Sequence, residues 1–246
     1  MPAYLHNGAH GDIIYSLPVL RAQPGVFVFA KPRQKAFLES LLALQPYIQE
    51  LSLDAKPWKD NLERGKNETP ILDHYIDLRK YRGITKADRS KHLTICHAEA
   101  AGVAIDNQTS WLYNVTPNPV AKIVVHRSKH YYGKLDWEAL RPFLDDVVSV
   151  GHKHEQEYLP FPVRHYRTKT ALEVAQVIAG SKLFVGNQSL PFAIAEALKH
   201  PRVLEVSTEK PNCMPHGAEG WVELTTGRIE RCIEECHNTL TYCLGC

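Results

Sequence analysis

The chain has 246 residues, 44% of them apolar and 23% charged, which is enough to bury one large core or two domains of about 120 residues each. A formal net charge of +2 makes no general case for a nucleic-acid partner. No basic-then-apolar leader opens the chain, and no apolar run nears the roughly 18 residues of a membrane span, so the expected location is the cytoplasm. Peripheral contact with a membrane surface stays open. Six cysteines without an export signal are expected to be reduced thiols.

The first informative stretch runs from His6 to Pro18. A short segment, Ala3-Tyr4-Leu5, leads into Gly8 and Gly11, then Asp12, then an apolar run at helical spacing. This reads as strand, tight glycine loop and helix N-terminus, with Asn7, Gly8 and Gly11 placed to face a ligand. Asp12 then has two readings: a helix cap, or an ionised carboxylate facing a site.

Val26 to Ala30 is a continuous apolar run suited to a buried parallel strand, and the spacing after Pro32 predicts a helix over 33–44. Residues 47–53 read as a weaker strand, 54–70 as a long polar surface loop, and 71–78 as a return to the sheet. A helix is expected from a Ser90 cap to Gly102. Thr116-Pro117-Asn118-Pro119 has the composition of a linker and marks a domain boundary. Beyond it the alternation restarts: a strand over 122–126, a helix opening at Asp136, a strand over 146–151, a helix over 171–180, and a strand over 183–186. That last strand feeds a second loop, Asn187-Gln188-Ser189, then a helix to Lys199 with Pro191 in its first turn, a strand over 202–206, and a C-terminal helix over 227–242.

The expected architecture is therefore α/β, two Rossmann-like doubly wound domains facing across a cleft, over 1–116 and 120–226, with a cysteine-rich tail over 227–246. In such sheets ligands sit at the carboxyl ends of strands, which puts Gly8–Asp12 and Gly186–Ser189 on one cleft.

Gly11-Asp12-Ile13-Ile14-Tyr15-Ser16-Leu17-Pro18 resembles the N-terminal motif of glycosyltransferase family 9, the heptosyltransferase-like enzymes. The segment from Ala175 to Leu198 resembles that family's nucleotide-sugar-binding region. The resemblance implies a GT-B fold and an inverting transfer from a nucleotide-diphosphate sugar to a glycan or other hydroxyl acceptor, with Asp12 as general base and no metal or further cofactor. A binding protein of the same fold that has lost transfer is the alternative.

The leaving diphosphate needs cations or helix N–H groups, and Arg127, Lys129, His130 and Lys134 are the candidate cations, with Lys134 ahead of Trp137 the candidate match to the family's phosphate lysine; a solvated loop is the other reading of this basic cluster. The chain departs from the family at the second loop. Gln188-Ser189-Leu190 and Ala193 stand where an Asp-Thr/Ser-Gly and a histidine are common. Asn187, Gln188 and Ser189 remain candidate donor contacts. Glu196 and Glu205 are candidate ribose ligands, an exposed helix position being the other reading of Glu196.

Cys232, Cys236, Cys243 and Cys246 could form a tetrahedral zinc set by count. Only Cys243–Cys246 has CxxC spacing, and no metal site is expected. Cys213 has no base beside it in sequence and is not a candidate nucleophile.

Overall fold

The computed structural model describes residues 1–54 and 75–234. The polar loop expected over 54–70, the start of the following strand, and Cys236, Cys243 and Cys246 lie wholly or almost wholly outside these residues.

The first sheet takes β1 (Ala3–His6), β2 (Gly25–Phe29), β3 (Ile48–Leu53) and β4 (Ile76–Asp77) in the order β3-β2-β1-β4, all pairs parallel. Its helices are α1 (His10–Ala22), α2 (Pro32–Leu42), α3 (Tyr81–Ala87) and α4 (Leu93–Ala101). α3 is absent from the sequence reading. α4 starts later than expected, because the His92 side chain, not Ser90, accepts the Thr94 N–H, while Ser90 is held by Asp88. Gly102 closes it in the left-handed region at φ 68°.

The second sheet takes β5 (Ile123–His126), β6 (Val147–Ser149), β7 (Arg164–His165), β8 (Leu183–Asn187), β9 (Arg202–Glu205) and β10 (Gly220–Trp221) in the order β10-β9-β8-β5-β6-β7, again all parallel. With it go α5 (Ala171–Ala179), α6 (Leu190–Leu198) and α7 (Thr226–Glu234). The segment Trp137–Asp146, expected to open a helix, is a 3-10 helix containing Pro142. The expected helix over 227–242 is observed as α7 as far as Glu234.

Strand alternation explains the layering. Val124 and Phe184 point into a core that also holds Tyr4, Phe27, Ile14 and Ile194, so one buried cluster joins the two sheets through α1 against α6 and α2 against α5. Ile123, Val125 and Val185 point the other way, onto Trp137, Leu140 and Ile229.

Pro18 sits inside α1 and has no N–H to give the Ile14 carbonyl. That carbonyl accepts the indole N–H of Trp111 instead, at 3.1 Å. Trp111 is fully buried, and its own backbone N–H donates to the Ala197 carbonyl at the end of α6. The segment leading to the Pro-rich linker is thus bonded to helices of both sheets.

Candidate active site

Each sheet has a point where strand order reverses: β1 beside β4 in the first, β5 beside β8 in the second. Loops leaving neighbouring strands diverge there and open a crevice. The two crevices meet in a cleft of about 460 Å³. From the first sheet it is lined by Gly11 and Asp12 after β1, and by Tyr81, Arg82 and Lys86 after β4, with Arg89 beyond α3. From the second it is lined by Tyr131 after β5, Gln188, Ser189 and Leu190 after β8, and Lys210, Asn212 and Cys213 after β9. Both predicted glycine loops do face one cleft.

Asp12 is the third residue of α1, not its N-cap. Its Oδ2 reaches back to accept the Ala9 N–H at 3.0 Å and also accepts the Tyr81 hydroxyl at 2.6 Å. Among the described residues Oδ1 takes no hydrogen bond, leaving one carboxylate oxygen for a ligand. Burial, then the nearby Asp12 charge, raises the Tyr81 phenol, so it stays a donor at neutral pH. Gly8 is required beneath: a Cβ there would stand 2.5 Å from the His6 ring and 2.9 Å from Asp12 Cβ. Asn7 is buried and does not line the cleft.

Under the loop lies a buried histidine pair. His6 Nδ1 accepts the Gly8 N–H at 2.9 Å, so its Nε2 carries the proton that His97 Nε2 accepts, also at 2.9 Å. His97 Nδ1 donates to the Leu93 carbonyl at 2.7 Å. Burial and the facing His97 hold His6 well below the usual histidine range, and burial brings His97 to about 4. Tyr81 stacks on both rings, at 5.5 and 4.3 Å. The carboxylate thus rests on an aromatic and imidazole support.

The cations are not those the sequence suggested. Arg127 is bound edge-on to Glu205, Nε to Oε2 at 2.8 Å and Nη2 to Oε1 at 2.5 Å, and donates to the Tyr158 carbonyl. Glu205 is fully buried and also accepts the Gly133 N–H, so neither residue lines the cleft. Lys129, His130 and Lys134 are exposed and lie off the cleft wall. Glu196 is neither an exposed helix residue nor a ribose ligand in waiting. It is fully buried, bound to Arg202 and, at 2.6 Å, to Lys199, and it accepts the His216 N–H. The cations on the wall are Arg82, Lys86, Arg89 and Lys210. The first three are spaced as one face of a helix continuing past its end, a pattern visible in the sequence once a helix at 81–87 is recognised.

The second loop is largely occupied in holding its neighbours. Asn187 gives its amide N–H groups to the Ser128 and His130 carbonyls, at 3.0 and 2.6 Å. Gln188 donates to the Lys210 carbonyl at 2.8 Å and accepts the Ser207 N–H at 3.0 Å. Between the anchors at Asn187 and Gly133, Tyr131 is held at φ 63° with its ring on the cleft wall. Ser189 precedes α6 without capping it; its hydroxyl turns to His126.

Cys213 is buried, and burial pushes its thiol up to about 12, which removes it as a nucleophile. Among the described residues no group of three potential ligands could hold a metal ion, and no helix is long and apolar enough to cross a membrane.

Neither protein-family models nor curated proteins give a match to this chain. Solved structures do. A glycosyl transferase family 9 protein from Veillonella parvula aligns with a TM-score of 0.58 at 12% identity, covering 90% of this chain and 85% of its own. The E. coli heptosyltransferase WaaC, with ADP-2-deoxy-2-fluoro heptose, aligns at 0.57 and 14% identity, over 95% of this chain and 99% of its own. The iron-containing heptosyltransferase TibC, in complex with ADP-D-beta-D-heptose, aligns at 0.57 and 12% identity, over 97% and 77%.

The chain has the GT-B fold.

In GT-B terms the first sheet with α1 to α4 is the N-terminal half, the second sheet with α5 to α7 is the C-terminal half, and the cleft between them carries Asp12 on one wall and the start of α6 on the other.

Proposed function

We propose that the protein is an inverting glycosyltransferase that moves a hexosyl or heptosyl unit from a nucleotide-diphosphate sugar to an acceptor hydroxyl. The observation that carries this reading is Asp12: a carboxylate fixed through one oxygen, with the other unbonded among the described residues, in the wall of the GT-B cleft. Inversion needs one base on the face of the sugar opposite the leaving group, and rigid placement counts for more than an altered acidity.

In this reading the acceptor hydroxyl gives its proton to Asp12 Oδ1 as its oxygen attacks the anomeric carbon. The bond from that carbon to the diphosphate oxygen breaks, and the nucleoside diphosphate leaves with the electron pair. Charge on it is met by the uncapped start of α6 and by Lys210, without a metal at this step. Arg82, Lys86 and Arg89 lie on the acceptor side. The neighbours named with ADP-heptose ligands support a nucleotide-sugar donor.

Transfer and hydrolysis assays over a panel of nucleotide sugars, wild type against Asp12→Asn, test the proposal. Loss of turnover of at least about 100-fold, with donor binding retained, is expected. Equal turnover by both proteins removes Asp12 as the base. Binding of a donor with no turnover by wild type favours a binding protein, a reading to which the commitment of Gln188 to loop anchoring lends support.

A further inference from the structure

One residue of the cleft is held in a backbone conformation that its side chain disfavours. Among the described residues, the non-glycine residues at positive φ are Asn114, Tyr131, Lys199 and Glu219. Asparagine tolerates this region, and Lys199 closes α6, a common place for a left-handed residue. Tyr131, at φ 63°, is bulky and lies outside every helix and strand. It alone of these residues lines the cleft.

The loop is clamped on both sides of Tyr131. Asn187 Oδ1 accepts the Ser128 N–H at 3.1 Å, and the Asn187 amide N–H groups hold the Ser128 and His130 carbonyls. On the other side the Gly133 N–H donates to the buried Glu205 carboxylate at 3.2 Å. The chain passes so close to β9 there that a Cβ on Gly133 would stand 1.9 Å from the Val206 carbonyl oxygen. These anchors over-determine the residue between them and offset its strain. Core packing does not, because Tyr131 is 42% exposed. A strained, exposed aromatic residue fixed in a cleft is placed for what enters the cleft.

Two groups decide which part of a donor the ring meets. Lys210 Nζ lies over the ring, 5.5 Å from its centroid, and is the cation given above to the leaving diphosphate. Asp12 faces it from the other half of the molecule. Burial, then the Asp12 and Cys213 charges, raise the Tyr131 phenol, so the ring is within electrostatic reach of the carboxylate. Between the acceptor's base and the diphosphate's cation lies the sugar; the nucleobase is at the donor's far end. A sugar ring has a face of C–H groups, and an aromatic ring packs on such a face while leaving the hydroxyls free.

We propose that Tyr131 is the donor-sugar platform: its ring packs on the C–H face of the transferred sugar and holds the anomeric carbon between Asp12 and the leaving diphosphate. The proposal rests on the glycosyltransferase reading for the presence of a sugar. It requires the ring of Tyr131 and not the phenol hydroxyl.

Calorimetric titration of the full-length protein with ADP, UDP, ADP-glucose, UDP-glucose and ADP-heptose separates sugar from nucleotide. Wild type is expected to bind at least one sugar nucleotide more tightly than the diphosphate it contains. Tyr131→Gly adopts φ 63° without strain. It is expected to bind that sugar nucleotide about 3- to 10-fold more weakly and the bare diphosphate as wild type does. Its melting temperature should be no lower than that of wild type, since strain is relieved and no core contact is lost. Tyr131→Phe is expected to match wild type in both affinities. Equal weakening of sugar nucleotide and diphosphate by Tyr131→Gly, or weakening of neither, overturns the platform. So does a loss in Tyr131→Phe as large as in Tyr131→Gly, or a lower melting temperature for Tyr131→Gly, which would make the ring a structural element. A wild type that binds diphosphates but gains nothing from any of the sugars also overturns it. All of these leave the glycosyltransferase reading standing. Failure of wild type to bind any of the compounds overturns that reading, and the platform with it.

Discussion

The Tyr81 hydroxyl donates to Asp12 Oδ2 at 2.6 Å from 69 residues away in the chain, and so ties the loop after β4 to the carboxylate after β1. Arg82 in turn donates to the same phenol oxygen at 3.3 Å. Tyr81→Phe removes one of the two bonds that hold the carboxylate, leaving the Ala9 N–H alone. Turnover is expected to fall about 10-fold, roughly 1.4 kcal/mol in the barrier, with KM for the donor little changed. Steady-state kinetics decide it; a change confined to KM would place Tyr81 in binding instead.

The Trp111 indole stands in for the backbone N–H that Pro18 lacks. Trp111→Phe leaves the Ile14 carbonyl buried without a donor, a cost of about 1–3 kcal/mol in addition to the smaller ring. Urea unfolding reads it as a lower midpoint. Adding Pro18→Ala restores a helical donor to that carbonyl, so the pair should be less destabilised than the separate effects imply. Simple additivity would mean the bond contributes nothing.

Acid should loosen the support under Asp12. His97, held by burial at about 4 against 6.5 in the open chain, takes up its proton more readily when unfolded. Its contribution is intact above pH 6.5, declines as pH falls from 6.5 toward 4, and levels off below, a loss of about 3 kcal/mol. Buried His6 shifts in the same direction. Thermal melts from neutral to mildly acidic pH are expected to show this decline. His97→Gln, which cannot titrate, should be less stable at neutral pH but flatter in its pH dependence.

Glu196 separates stability from binding. Glu196→Gln leaves Arg202, itself fully buried, and the half-buried Lys199 without their carboxylate, and is expected to cost about 3–5 kcal/mol. Nucleotide affinity of the folded fraction should be unchanged. A normally stable variant with weakened nucleotide binding would return Glu196 to the ribose role.

The sequence alone determined the parts that depend on neighbours along the chain. Alternating strand and helix patterns, the glycine loop ahead of Asp12 and the Pro191 helix start are local features, set by backbone freedom and hydrophobic period, and they placed Asp12 and Ser189 at strand ends facing one cleft. Tertiary structure decided which charges are free. Arg127 and Glu205 lie 78 residues apart and neutralise each other, and Glu196 is consumed by Arg202 and Lys199, because a buried charge must find a partner wherever the fold supplies one. Arg82, Lys86 and Arg89 reach the cleft because α3 brings them to its rim after β4. The same holds for Asp12. Its position at the start of α1 was readable from the motif, but Tyr81 across the loop, over the histidine pair, fixes one of its oxygens and, among the described residues, leaves the other free, and those contacts exist only after folding brings residues 6, 12, 81 and 97 together.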